Sequence, residues 1–186
     1  MGRAGWAYDC LLQFAEHWVA PNGLHFNVEL HDAGVSVYRR HDSGRAPGPF
    51  TIEANCAVSA GISGMLLQGW GDTLRVFPSI PEHWRDVAFR SLRAEGAFQV
   101  SAIRRDGRTV WVKIVAGAER RVRLKAPFDG RPVTVVGAEL VREGKHFLGT
   151  LRKGQEVVLS AAEESISMEQ AVLLIRASRA PRLGLI

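Results

Sequence analysis

The chain has 186 residues, of which 46% are hydrophobic and 23% charged, a composition typical of a globular domain. No apolar run reaches the roughly 18 residues that cross a bilayer, and the N-terminal residues lack the features of a secretory signal, so no membrane partner and no leader are predicted. The formal net charge of +5 is spread unevenly along the sequence.

The basic residues are concentrated in the second half of the chain. Residues 1–86 contain 6 Lys and Arg against 9 Asp and Glu, whereas residues 87–186 contain 18 against 10. This asymmetry suggests two segments with different roles. A basic half can indicate a nucleic-acid-binding protein. Here the arginines alternate with apolar residues, which favours a solvated strand surface, and we predict no nucleic-acid partner.

Two cysteines, Cys10 and Cys56, form neither a metal-type pair nor a disulfide framework. We expect both to be free, buried thiols. Free thiols fit a reducing compartment without proving one. The localisation is unknown from the sequence, and because no signal peptide is recognised in it, the cytoplasm is slightly favoured. No metal or cofactor motif is present, so none is predicted.

Two helices are predicted in the first part of the chain. Residues 4–18 place an apolar side chain at every fourth position, and Pro21-Asn22-Gly23 follows as a turn. Residues 24–49 show no sustained period and predict a long loop. Residues 56–70 predict the second helix, with small residues opposite its apolar face where another backbone would pass closely. Two helices of this length cannot enclose a core of their own, which suggests the remnant of a larger helical assembly.

A carboxylate stands at the start of the second helix. Phe50 and Ile52 alternate with Thr51 and Glu53 like a strand, which places Glu53 just before the helix. A negative charge is stabilised there by the helix dipole and the unpaired N–H groups, which suits a general base better than an acid. The other interpretation of Glu53 is a buried acid paired with an arginine.

From residue 73 the pattern changes to short strands. Asp106-Gly107 between two alternating runs predicts a hairpin. Val110, Val112 and Ile114 are expected on one side of the sheet, and a last strand is expected over 171–177. Strands at this spacing are typical of an antiparallel sandwich. The predicted fold class is therefore α+β, with about two helices followed by an antiparallel β-sandwich.

Three stretches resemble the C-terminal part of glycoside hydrolase family 95, whose best-known members are α-L-fucosidases. They are Phe50-Thr51-Ile52-Glu53-Ala54-Asn55, Met65-Leu66-Leu67-Gln68 and Leu92-Arg93-Ala94-Glu95-Gly96-Ala97-Phe98. Between the second and third stands Val76-Phe77-Pro78-Ser79-Ile80-Pro81, where the family has a similar Pro-containing segment. The ordered matches cover about 50 residues.

The resemblance implies an inverting glycosidase with an (α/α)₆ barrel, also called a six-hairpin toroid, and a trailing β-sandwich. Residues 1–72 would be the last helices and active-site loop of the barrel, and residues 73–186 the sandwich. Glu53 matches the aspartate that supports the general base in the family, and the resemblance therefore assigns Glu53 to the general-base position. The family's general acid lies upstream of this sequence, in a missing N-terminal part of the barrel. The substrate is expected to be a carbohydrate, and this chain by itself is expected to be inactive.

Substrate contacts are expected from Asn55 and His25. Asn55 is expected either to cap the second helix or to touch the substrate. His25 shares the long loop with His31 and His41, and it is the candidate for contact with a sugar. Glu29 and Asp32 in that loop are the candidates for a second acid within the chain.

The chain departs from the family pattern at three places. Glu53 replaces an aspartate, Pro47-Gly48-Pro49 stands where fucosidases usually have His-Pro-Pro, and Cys56 replaces an aromatic residue. These differences point to a branch that acts on another glycoside, or to lost activity. The alternative function is a non-catalytic carbohydrate-binding or structural β-sandwich.

Overall fold

The computed structural model describes residues 3–27, 50–161, 167–170 and 173, and within them lie two regular helices and ten strands. The helices are α1 (Ala4–His17) and α2 (Ile52–Leu66). The strands are β1 (Leu67–Gln68), β2 (Arg75–Val76), β3 (Val87–Ala94), β4 (Phe98–Arg105), β5 (Arg108–Ala116), β6 (Arg120–Lys125), β7 (Val133–Gly137), β8 (Val141–Glu143), β9 (His146–Leu151) and β10 (Glu156–Ala161).

The described residues form two compact units. The helical unit comprises residues 3–27 and 50–62, and the β-unit comprises residues 63–161, 167–170 and 173. All paired strands of the β-unit run antiparallel. Helices come first along the chain and antiparallel sheets follow, so the predicted α+β class is confirmed.

Within the β-unit, the described strands form two main sheets. One has five strands in the order β3-β4-β5-β10-β7, and the other has three in the order β6-β9-β8. The predicted hairpin joins β4 to β5, with Arg105 opposite Arg108. Asp106 and Gly107 both have positive φ, 49° and 78°. A two-residue turn of this kind requires positive φ at both positions, which explains why Asp-Gly is a reliable hairpin signal.

The apolar faces of the two main sheets share one core. Val112 and Ile114 of the five-stranded sheet belong to the same cluster as Val122, Leu124 and Phe147 of the three-stranded sheet. The four aliphatic side chains are fully buried. The β6 sequence alternates these buried residues with exposed Arg and Lys, as a strand with one solvated face requires. This packing of two antiparallel sheets is that of a β-sandwich.

A β-bulge interrupts the expected face of β5. Ile103 pairs with Trp111 whereas Arg104 pairs with Thr109, so Val110 is the extra residue. Val110 packs with Ile103 in a smaller cluster, against which Trp111 and Met168 are partly buried. The predicted common face therefore holds for Val112 and Ile114, whereas the bulge moves Val110 out of the main core.

The second helix begins and ends four residues earlier than predicted. It starts at Ile52, and it stops at Leu66 because the following residues pair with β2: Leu67 lies opposite Val76. The backbone N–H of Phe77 also donates to the carbonyl of Leu66 at 2.8 Å. Pairing across this short ribbon removes the backbone groups that a longer helix would use.

The two helices bury little of their apolar surface within the described residues. α1 has no buried side chain across residues 4–17, and Met65 is the buried one within α2. Trp6 is 67% exposed, and both Cys10 and Cys56 are exposed, so the prediction of buried thiols is wrong. Among the described residues, no helix combines the length and the apolar character needed to cross a lipid bilayer.

The predicted last strand at 171–177 lies largely outside the described residues. Residues 168–170 and Leu173 are helical. The apolar run there is compatible with either a helix or a strand. Leu173 is the described residue within 171–177, and because it is helical, the prediction of a strand is wrong at that position.

The shared core predicts a large difference between two matched substitutions. Val112→Ala removes two buried methyl groups, and we expect it to lower the free energy of unfolding by about 2–3 kcal/mol, through lost burial and a residual cavity. Val136→Ala makes the same change at a side chain that is 61% exposed on β7, and we expect a change within about 0.5 kcal/mol. Urea denaturation followed by tryptophan fluorescence measures both, and equal effects would contradict the assignment of the core.

Candidate functional site

Glu53 lies in the first turn of α2 and is exposed. Because the helix begins at Ile52, Glu53 is part of the helix and does not precede it. Within the described parts of the chain its carboxylate forms no hydrogen bond and no ion pair. Its carboxylate can therefore take a hydrogen bond from water or from a ligand, and the interpretation as a buried acid paired with an arginine is wrong.

The surroundings of Glu53 are apolar and also exposed. Phe50 and Ile52, on either side of Thr51, are 55% and 53% exposed. Phe50 forms an isolated antiparallel bridge with Phe26, which holds the approach to α2 against the segment that follows α1. Exposed apolar side chains grouped in this way form a surface that another element or molecule can cover.

Asn55 holds two parts of the helical unit together. Its Oδ1 accepts the backbone N–H of His25 at 2.9 Å, and its Nδ2 donates to the carbonyl of Gly23 at 2.9 Å. The expectation that Asn55 caps α2 is wrong, because the helix already begins three residues earlier. The side-chain amide of Asn55 instead accepts from one backbone group and donates to another within residues 23–25.

His25 is held through its backbone and through Nδ1 of its ring. Its carbonyl accepts the backbone N–H of Thr51 at 3.1 Å, and its Nδ1 lies 2.6 Å from the Thr51 hydroxyl. Its ring stacks on Phe14 of α1, with 5.2 Å between the ring centroids and an angle of 6° between the planes. The side chain is buried, and this burial lowers the pKa of His25 below its ordinary value of 6.5, so the imidazole is neutral at pH 7.

The structure thus brings His25 and Asn55 together, at the N-terminal turn of α2 that carries Glu53. The contacts seen for both residues are internal, and they fix the backbone beside that turn. Sequence reasoning missed Thr51 and Phe14. Phe14 is one of the periodic apolar residues that predicted α1. Its stacking on His25 could not be predicted, because periodicity along one helix does not show which side chain from another segment contacts it.

The other candidates in the long loop lie outside the described residues: Glu29, His31, Asp32 and His41. The described parts of the chain hold no group of three or more His, Cys, Asp or Glu side chains placed to bind a metal ion.

The packing of His25 predicts its titration. We expect an NMR titration of the imidazole to give a midpoint below 6.5, because burial disfavours the charged form. Phe14→Ala opens one face of the ring to water and is expected to move the midpoint back towards 6.5. His146, which lies in the β-unit and whose pKa is also lowered, is the internal control, and Phe14→Ala should leave its midpoint unchanged.

The pairing of Asn55 predicts the exchange of one amide. Asn55→Ala removes the acceptor of the His25 N–H, and we expect that amide to exchange with solvent about tenfold faster or more, because a lost buried hydrogen bond costs about 1–3 kcal/mol. Asn55→Asp keeps the acceptor and should have a smaller effect. The matched control is Asn22→Ala, which removes an exposed bond to the N–H of Leu24. Equal exchange of the His25 amide in all three variants would refute the role of Asn55.

No protein-family model and no curated protein matches the sequence. Part of the chain is similar to solved structures of glycoside hydrolases. A family 39 enzyme from Bacteroides cellulosilyticus is 18% identical over 41% of this chain and 16% of its own length, with a TM-score of 0.32. A family 127 β-L-arabinofuranosidase from Geobacillus stearothermophilus is 17% identical over 65% of this chain and 21% of its own length, with a TM-score of 0.29.

The chain therefore spans between 16% and 21% of the length of these two structures. At such identities and TM-scores, the likeness carries no argument about the fold or the activity of this chain.

Proposed function

We propose that this chain is the C-terminal part of an inverting glycoside hydrolase of the family 95 type. Residues 1–72 contribute the last helices and active-site loop of the (α/α)₆ barrel, and residues 73–186 are the sandwich that follows it. Glu53 occupies the general-base position. The substrate is a glycoside, and the departures from the fucosidase pattern leave fucose as one possible sugar among others.

The observation that carries the proposal is the exposed carboxylate of Glu53 in the first turn of α2, flanked by uncovered apolar side chains. Proteins bury such surfaces against further layers of secondary structure. Phe50, Ile52 and Trp6 are all more than half exposed. Further helices of a barrel would cover these side chains, and they would also bring a second carboxyl group towards Glu53.

Two glycines of α2 support the same interpretation. A side-chain carbon added at Gly61 or Gly64 would meet nothing within 4 Å. Glycine inside a helix costs about 1 kcal/mol relative to alanine. Two such residues with open space beside them fit a helix whose close-packed neighbour is not among the described residues.

The chemistry follows from the carboxylate. Inverting enzymes use two carboxyl groups about 6.5–9.5 Å apart, with a water molecule between one of them and the sugar. Glu53, as the base, takes a proton from that water while the water oxygen attacks the anomeric carbon. The general acid, supplied by the upstream barrel, protonates the departing oxygen. Asn55 and His25 fix the backbone beside the turn, so that the carboxylate keeps its place.

A second candidate function is a non-catalytic carbohydrate-binding sandwich. Arg121, Arg123 and Lys125 are exposed along β6 of the three-stranded sheet, and this row of cations favours it. This role is compatible with the first, because a binding surface on the β-unit uses none of the residues around Glu53.

The proposal is tested by paired substitutions in the complete enzyme that includes the upstream barrel, with aryl glycosides as substrates. Glu53→Gln removes the base, and we expect kcat to fall about 10²- to 10⁴-fold. Glu16→Gln is the matched control on α1, where Glu16 is exposed, and kcat should not change. Glu53→Asp restores the residue type of the family and should retain activity within about tenfold of the parent, since both side chains are carboxylates.

Two results would contradict the proposal. The first is release of sugar from aryl glycosides by the 186-residue chain without its barrel, because the general acid would then have to lie within this sequence. The second is equal kcat for Glu53→Gln and Glu16→Gln.

A further inference from the structure

Strand β6 presents a row of cations to solvent. Arg121, Arg123 and Lys125 are exposed, and they alternate with Val122 and Leu124, which are fully buried. Because side chains on a strand alternate between faces, the three cations share the outer face at a spacing of about 6.6 Å. The buried residues fix that orientation, since a shift of one position would place the charges in the core.

A fourth cation joins the row from β2. Leu74 bridges Leu124 in parallel, with the N–H of Leu74 bonded to the carbonyl of Arg123 at 2.8 Å and the N–H of Lys125 bonded to the carbonyl of Leu74 at 2.9 Å. Leu74 and Leu124 are both buried. The next residue, Arg75, therefore lies on the same outer face as Arg123 and Lys125. We call these four cations, Arg75, Arg121, Arg123 and Lys125, the cationic face.

Arg75 is held in place. Its Nη1 donates to the carbonyls of Trp70 at 2.8 Å and Thr73 at 3.0 Å, and its guanidinium lies 4.3 Å from the centre of the Trp70 ring. Trp70 is itself 46% exposed. The cationic face is thus bordered by an aromatic ring that is already stacked on one of its cations, and a ligand there meets an ordered guanidinium.

Within the described parts of the chain, none of the four members of the cationic face forms an ion pair. Glu119 and Glu139 line a surface depression with Leu148 and Thr150, which lie opposite Arg123 and Arg121. On the neighbouring strands, His146 of β9 lies opposite Lys125, and Glu143 of β8 lies opposite His146. Glu143 marks the acidic border of the face at the far edge of the sheet.

The local potential also acts on His146. Burial lowers the pKa of His146, and the positive charges of Arg123, Lys125 and Arg75 lower it further. The imidazole is therefore neutral at pH 7, and it adds a hydrogen-bonding group beside the cations without adding another charge.

We propose that the cationic face binds an anionic oligosaccharide, one that carries carboxylate or sulfate groups, along β6. Three of these positive charges lie along β6, and the fourth lies on the neighbouring β2, where adjacent strands are about 4.8 Å apart. The like charges repel one another, and an anionic ligand reduces that repulsion. Arginine matches both groups, because its planar fork donates two parallel hydrogen bonds to their oxygens. Exposed Trp70 offers an apolar surface to the ring of a sugar.

The choice of a sugar rests on the proposed function, and the dimensions of the surface support it over a nucleic acid. Single-stranded nucleic acids bind to aromatic side chains whose faces stack on successive bases. Trp70 has Arg75 on one side of its ring. The three cations of β6 span five residues of one strand, and Glu143 bounds the cationic face at the far edge of the sheet, which fits a short chain.

The test measures binding to the 186-residue chain by isothermal titration calorimetry at low salt. The probes are a heparin hexasaccharide, a hexagalacturonate, neutral cellohexaose and a hexathymidylate. We expect binding of one or both anionic sugars, no binding of cellohexaose, and weaker binding of the oligonucleotide. Tighter binding of hexathymidylate than of either anionic sugar would overturn the assignment of a sugar, and no binding of the anionic sugars would overturn the proposal.

Two matched double variants locate the surface. Arg123→Ala/Lys125→Ala removes two cations of the face, and we expect the Kd of the bound anionic sugar to rise about tenfold or more, since two charge-assisted contacts are lost. Arg90→Ala/Arg93→Ala removes two exposed cations of β3, in the other sheet, and should leave the Kd within about twofold, because the contacts on β6 are kept. Equal weakening by the two double variants would show a general charge effect and overturn the proposal.

The titration of His146 reports on the same surface without any ligand. In Arg123→Ala/Lys125→Ala we expect the midpoint of His146 to rise towards 6.5, while Arg75 and Glu143 remain beside it. An unchanged midpoint in a variant that keeps the parent's melting temperature would contradict the grouping of these cations. Binding does not involve Glu53, so its failure leaves the hydrolytic proposal standing, and failure of the Glu53→Gln test leaves this one standing.

Discussion

The alternation of side chains along β6 is the constraint on which most of the β-unit depends. Val122 and Leu124 join the core shared by the two sheets, and this burial directs Arg121, Arg123 and Lys125 to solvent. The hydrophobic effect acts on the apolar side chains and is indifferent to the charges. The core and the cationic face are therefore two consequences of one two-residue period.

The helical unit is organised in a different way. Within its described residues, no apolar core forms, and polar contacts do most of the positioning: Asn55 pairs with Gly23 and His25, and Thr51 pairs with His25 again. Hydrogen bonds contribute less net free energy than the burial of large side chains, but they define geometry closely. Such a unit holds the first turn of α2 in place while its apolar side chains remain exposed.

Much of the β-unit could be predicted from the sequence, because its signals are local. The Asp106-Gly107 turn predicts a hairpin, and the alternation of apolar and polar residues predicts strands β5 and β6. Neither prediction requires knowing which strand pairs with which. The bulge at Val110 could not be predicted, since it depends on the register between two strands. The early start of α2 was missed for a similar reason. Asn55 resembles a cap in the sequence, yet its amide bonds to a segment thirty residues away.

The candidate site was predicted less completely. The residue pattern predicts that Glu53 lies just before a helix. In the structure the helix begins four residues earlier than predicted, so Glu53 lies in its first turn. The burial of His25 depends on stacking with Phe14 and on the Thr51 hydroxyl, which are tertiary contacts that no periodicity encodes. The cationic face was expected as a solvated surface of arginines. What the sequence could not show is that β2 adds Arg75 to it, since that requires the parallel bridge at Leu124.

The bridge between Leu74 and Leu124 also bears on how the protein avoids aggregation. β6 is an edge strand of the three-stranded sheet, and edge strands present unpaired N–H and carbonyl groups to other chains. Leu74 occupies the carbonyl of Arg123 and the N–H of Lys125 on that edge. At the opposite edge, β8 has three residues, all exposed, and two of them are charged. One edge is thus covered by backbone and the other is short and charged. Local detachment of residues 69–77 would uncover β6 as a template for intermolecular sheet pairing, even with the core of the sandwich intact.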